Sequence, residues 1–363
     1  MRIHTTCMAA LALLATVASG AQSTLKLSAT KANDYAITYT LPKTAIDITI
    51  VTSKTVETPG EFYQYAKMIL NIDNPISEKN TDYRIEQVII NTHGEPDPEQ
   101  RYAVKFSSGS TPFLMLSADN VPLAVNTEDV YRPRVNELPE PKKAEPTALQ
   151  TPAARQVMTE EILRSTTLYK KAQLAAEQLY AIRQSRKDLL TGQADQMPPD
   201  GQSLQLMLDN LSAQEAALTA MFTGTRARST QVKTYTFVPK ADQTNVKGHV
   251  IARLSATDGL VAADDLSGEP IKLDYTVTER GKMPVNDKGV ELAFPKNGFA
   301  YCIPGKARVE VLYKGHELAQ SDVTVAQAGI VYGMAPNSFT DKKAPAYLVF
   351  DPATGAAIEI GSK

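Results

Sequence analysis

Between residues 152 and 190 the chain carries no glycine and no internal proline, and Ala, Leu, Gln, Glu, Lys and Arg dominate it. These are strong helix formers. On both sides lie long stretches in which branched or aromatic residues alternate with polar ones, the period of a half-buried strand. A chain patterned in this way builds sheet, then helix, then sheet. The expected fold class is therefore α+β: two β-rich, sandwich- or barrel-like domains with a long antiparallel helical hairpin between them.

The helical block has its own punctuation. Thr151 is placed to cap a first helix and Pro152 to open it. Leu168, Ala172, Ala175, Leu179, Ile182 and Leu189 form a stripe at three- and four-residue steps, interrupted by Arg186. Gly192 stops this helix, and a turn at 197–201 leads into a second from about Ser203 to Phe222. There Leu204, Leu208, Leu211, Leu218 and Phe222 share a face, and Glu215 takes the remaining seam position. At 1.5 Å per residue the helices are ~54 Å and ~30 Å long, so the first should overhang. The apolar face of that overhang (Val157, Met158, Ile162, Leu163) should lie on a β domain, and the turn around 192–201 then either projects as an arm or folds flat along the chain's own sheets. Arg183, Arg186, Asp188, Asp195 and Asp200 gather at this tip. Two readings fit them: a charge-assisted network that fixes the turn, or partner-binding residues on a docking tip.

The flanks divide at composition shifts. Residues 22–132 read as an N-terminal β-rich domain, with strand-like runs at 34–42, 45–51, 83–91 and 102–106. One helix interrupts it, since Phe62, Ala66, Ile69 and Leu70 share a face that should pack on the sheet. Gly94 to Gln100 (GEPDPEQ) reads as a turn cluster. Residues 133–151 form a Pro-rich linker, expected to be extended and solvated. The hairpin occupies 152–224. A second β-rich domain follows at 225–363, with strands at 235–239, 250–254, 271–277, 308–313 and 346–350. Turn signals stand at Asp258-Gly259, Asn297-Gly298 and 351–355.

The N-terminus is an address. A short basic start, an apolar run at 7–18 and small residues at 19–21 make residues 1–21 a cleavable signal peptide. No later segment reaches the ~18 apolar residues of a membrane span, so the mature chain is expected to lack a transmembrane segment. Cys7 precedes most of the apolar run, which does not suit lipidation, and it leaves with the leader. Cys302 then remains alone, in a strand-like context that suits a buried small hydrophobe.

Signals of chemistry are sparse. Thirty-eight basic against 40 acidic residues give a net charge of −2, which argues against a dedicated nucleic-acid surface. His93, His249 and His316 are far apart, and no HExxH, CxxC, GxSxG, Walker or dinucleotide motif occurs. His93 lies near Glu95, Asp97 and Glu99, which read as water-facing loop carboxylates. Phe62, Tyr63 and Tyr65 could stack on a sugar, but their spacing commits Phe62 to a core. No catalytic residue, metal ligand or cofactor is expected.

Four segments carry a resemblance: 59–66 (PGEFYQYA), 182–192 (IRQSRKDLLTG), 199–201 (PDG) and 339–345 (FTDKKAP). In them the chain resembles a family of secreted envelope proteins from Bacteroidota, catalogued only as a domain of unknown function. The resemblance implies a Gram-negative location, periplasmic or outer-membrane-associated, and it implies no activity. The resulting expectation is a non-catalytic binding or assembly module for an envelope protein or glycan. The alternative is a hydrolase of envelope or dietary polymers, which needs two carboxylates facing each other across a β-domain groove at ~5–10 Å. A third reading, a subunit of a surface assembly, would show edge strands able to accept a donor strand.

Overall fold

The computed structural model describes residues 23–26, 37–105, 112–295, 298–334, 339 and 344–362. The expected leader at 1–21 lies outside them, as do residues 34–36 of the first expected strand. The chain begins with β1 (Ser23–Lys26), β2 (Ile37–Thr58), α1 (Ala66–Leu70), β3 (Asn80–Lys105), β4 (Leu114–Leu116) and β5 (Pro122–Val125). Four helices follow: α2 (Pro152–Gln156), α3 (Glu160–Arg164), α4 (Leu168–Thr191) and α5 (Gly201–Thr223). Then come β6 (Thr225–Phe237), β7 (Asn245–Ser255), β8 (Gly259–Val261) and β9 (Gly268–Glu279). The chain closes with β10 (Phe299–Tyr313), β11 (His316–Met334), β12 (Ala346–Phe350) and β13 (Ala357–Ser362).

These strands form three sheets, ordered β1-β3-β2-β6, β11-β10-β9-β7-β8 and β13-β12-β5-β4. The β-rich character and the central helices agree with the sequence, and each of the five later strand runs falls within or overlaps a strand. The two β segments, however, do not keep separate sheets. β6 comes after the hairpin yet pairs with β2 from Ile46↔Phe237 to Thr58↔Thr225. β12 pairs with β5. The cores are mixed in the same way: Tyr39, Leu41 and Val125 pack with Phe299, Leu348 and Phe350, and Ile46, Ile48 and Ile50 with Leu273 and Val309. The reason lies in β2, whose residues from Thr44 to Ser53 are almost all buried. Such a strand needs a neighbour on each edge, and β6 supplies the second. The helices thus leave the sheet after β2 and β3 and return to it at Gly224. That glycine has φ +80°, and a side chain there would meet Thr58 O at 2.6 Å.

The GEPDP stretch is not a reversal. β3 runs through it, with Pro42 opposite Pro96 and Thr44 opposite Gly94. A register shift between Thr40 and Pro42 takes up the extra residues, and at such a bulge a proline's missing N–H costs the ladder little.

The long first helix is three pieces. Thr159 Oγ1 accepts from Ile162 N and Thr167 Oγ1 from Lys170 N, so each threonine caps a new helix where one continuous rod was expected. The remaining hairpin arms match, at 24 and 23 residues, and no overhang exists. α2 packs back on α5 and α3 on α4. Val157 and Ile162 are buried with Leu179, Leu218 and Phe222, a cluster that holds no strand residue. The Phe62–Ala66 segment joins the same cluster instead of the sheet, with the Phe62 and Phe222 rings 5.4 Å apart.

The linker is extended and largely exposed, as its prolines require, but it is tied down. Asn136 exchanges hydrogen bonds with Asn91 and donates to Ile90 O on β3. Lys142 pairs through its backbone with Thr230 on β6. Between the two anchored strands, the register places Thr49, Val51 and Ile89. Strand alternation turns those residues away from the inter-sheet core, yet they are buried.

Candidate functional site

The five tip residues do not make one network. Arg183 and Arg186 reach across the hairpin to a single partner, Glu215: Arg183 Nε lies 2.8 Å from Oε1 and Arg186 Nη1 3.1 Å from Oε2. The interruptions in the two apolar stripes therefore face each other. Burial opposes ionisation of Glu215, but the two guanidinium hydrogen bonds together outweigh it and hold the carboxyl below its usual range. Asp200 is the N-cap of α5, accepting from Ser203 N at 2.8 Å and Ser203 Oγ at 2.9 Å. The Ser203 backbone bond is the main cause of its lowered pKa. These three residues build the hairpin.

Asp188 and Asp195 stand elsewhere. With Leu189, Met207 and Leu211 they line a concavity of about 460 Å³ beside the turn. Asp188 also accepts from Gln184 Nε2 at 2.8 Å. Met207, which lines the concavity, is exposed, and so are Leu190, Met197 and Leu206 at the same end of the hairpin. For Leu206 the signal is legible: it falls off the apolar stripe of its helix, where a packed hairpin has no use for it, whereas Leu190 and Met207 lie on or beside theirs.

His93 Nδ1 sits 2.7 Å from Asp47 Oδ2, and Asp47 Oδ1 accepts from Thr236 Oγ1, so the histidine belongs to a row across three strands and not to a loop. Cys302 is buried, with its thiol pushed up to about 12 by desolvation, the setting of a structural cysteine and not of a thiolate nucleophile. Phe62 is fully buried and Tyr65 packs edge-on against Tyr169, so no aromatic platform forms.

A second concavity, about 480 Å³, lies on β2, β3 and β6 near the base of the hairpin. Glu57, Asp82 and Glu86 share it, each against an arginine: Arg226–Glu57 at 2.6 Å, Arg84–Asp82 at 2.6 Å and Arg228–Glu86 at 2.8 Å. Glu86 also accepts from Ser53 Oγ, the chief reason its pKa is lowered. Among the described residues no three His, Cys, Asp or Glu are grouped to hold a metal ion, and no helix is long and apolar enough to cross a membrane.

A family model described as Domain of unknown function (DUF4831) matches residues 35–358. The chain belongs to this family. The DUF4831 match spans both β segments and the helices between them, so the tip and the groove lie inside it. No curated protein and no solved structure matches this DUF4831 chain.

Proposed function

We propose that this DUF4831 protein is a non-catalytic binding or assembly module of a Gram-negative envelope, exported by its leader to the periplasm or outer membrane, and that it engages a protein partner through the hairpin tip. One observation carries the reading. The hairpin core is self-contained, and its far end exposes Leu190, Met197, Leu206 and Met207, the last of them lining a concavity edged by Asp188 and Asp195. Exposed apolar residues gathered beside a cleft are the mark of a docking surface. The two carboxylates suit a partner segment that pairs an apolar side chain with a basic one.

The test is photo-crosslinking in the native cell, with the reactive side chain placed at Leu190 or Met197 and, as control, at exposed Leu266. One envelope protein captured from both tip positions and not from the control supports the proposal. No adduct at either tip position sinks it.

A hydrolase finds its carboxylates in the groove of Glu57, Asp82 and Glu86. Glycoside hydrolysis also needs one carboxyl kept protonated near neutral pH. Each of the three is held beside an arginine, and Glu86 is shifted the opposite way. This favours binding over turnover. Release of reducing ends from a polysaccharide by the purified chain, abolished in Glu86→Gln, would reverse that preference.

A further inference from the structure

The groove at the base of the hairpin is a site in its own right, independent of the tip. Strand register assembles it from three rows: Arg84 and Ser53; Asp82, Thr55 and Arg228; Asn80, Glu57 and Arg226. All point to the outer face of the sheet, away from Ile46, Ile48 and Ile50. Farther along, the anchored linker passes over this face; at the hairpin end the face stays open as the groove.

Three properties define what the groove can take. Its volume, about 480 Å³, falls within the ~300–1,000 Å³ of small-ligand sites. Its lining contains no apolar residue, which excludes a lipid chain or an apolar peptide. Three arginines are matched by three carboxylates, every one paired, so a charged ligand gains no net field and meets a like charge beside every opposite one. A neutral polyhydroxylated ligand faces neither obstacle. Arg84 and Arg226 donate to their carboxylates through Nε, which leaves further N–H donors from a group that has five. The Thr55 hydroxyl and the Asn80 amide make no hydrogen bond to any described residue, although both line the groove. Vicinal hydroxyls donate and accept at once, and this fixed array of donors and acceptors is complementary to them. We propose that the groove binds a neutral oligosaccharide, held by hydrogen bonds to the arginine–carboxylate rows and to Thr55 and Asn80.

The test is titration of the full chain with maltohexaose, cellohexaose, mannohexaose and an N-acetylglucosamine oligomer, with polygalacturonate as an acidic comparison, read by saturation-transfer NMR. At least one neutral oligosaccharide should bind with millimolar or tighter affinity, unchanged between low and high salt. Thr55→Val/Asn80→Ala removes only side-chain groups without protein partners, so it should keep the melting temperature and weaken binding roughly tenfold. Glu57→Gln/Arg226→Gln keeps the groove neutral and should weaken it similarly. Leu190→Glu at the tip should leave it unchanged, which separates this proposal from the docking one. Three results overturn the inference: no binding of any neutral oligosaccharide, binding that survives both double variants, or preferential binding of polygalacturonate that fades with salt.

Discussion

The Tyr39 hydroxyl accepts a hydrogen bond from Ala300 N at 2.8 Å and donates one to Ala300 O at 3.2 Å. The ring stacks on Phe299 at 4.6 Å and on Tyr102 at 5.7 Å. One buried side chain on β2 thus does for β10 what a ladder pair would do, across 261 positions of sequence. Tyr39→Phe keeps the ring but strands a buried N–H, which costs about 1–3 kcal/mol. The urea midpoint should fall with an unchanged slope. Burial also keeps Tyr39 protonated well above its ordinary range, and lifts Tyr102 and Tyr275 to about 12. Unfolded tyrosine ionises near 10, so the native state binds more protons from there upward and stability declines as pH rises from about 10 to 12. The decline should be shallower in Tyr39→Phe.

Gly60 marks where the helices meet the sheet. A Cβ there would lie 2.3 Å from Met221 O, and Phe62 N donates to that same oxygen at 2.7 Å. The clash is with backbone, which cannot swing aside. Gly60→Ala should therefore cost about 1–3 kcal/mol by overpacking. It should also speed proteolysis between Thr58 and Phe62 well before the sheets melt. Wild-type protease resistance in this variant would contradict the close approach.

Glu215 offers a pH test of the hairpin. Its folded pKa is depressed, so its contribution is complete above the unfolded glutamate value of about 4.3 and is lost as pH falls through the folded value. Glu215→Gln should lower stability at neutral pH by up to about 1 kcal/mol, the scale of a largely exposed ion pair. The gap between variant and wild type should close in acid, as followed by thermal melts across pH. A gap that persists to low pH would mean that shape, and not charge, matters at this position.

Strand alternation and the helical stripe announce the sheets and the hairpin, since both are local. The breaks at Thr159 and Thr167 were equally local: Thr-Glu-Glu and Ser-Thr-Thr are capping sequences, but the unbroken run of helix formers hid them. Pro96 and Pro98 misdirect because proline usually ends a strand; only the shift opposite Pro42 makes room for one. Arg186 and Glu215 are each visible as an interruption, but their pairing depends on the register between helices. The groove is hidden for the same reason at longer range. Alternation says that Thr55 and Arg228 face outward, not that β6 returns to lie beside β2.

The linker provides the last test, because its prolines explain its extension but not its position. Asn91 and Asn136 hold it by three hydrogen bonds, with the Lys142–Thr230 pair as a second anchor. Each such bond is worth about 0.5–1.5 kcal/mol, and 1.4 kcal/mol is a factor of ten in an opening equilibrium. Asn91→Ala/Asn136→Ala should therefore let trypsin cut at Lys142 and Lys143 at least ~tenfold faster. The melting temperature should hardly move, since Thr49, Val51 and Ile89 keep their ladder partners. If cutting is no faster, the strap is held by something other than these two amides; if the melting temperature collapses, the linker is part of the core that it covers.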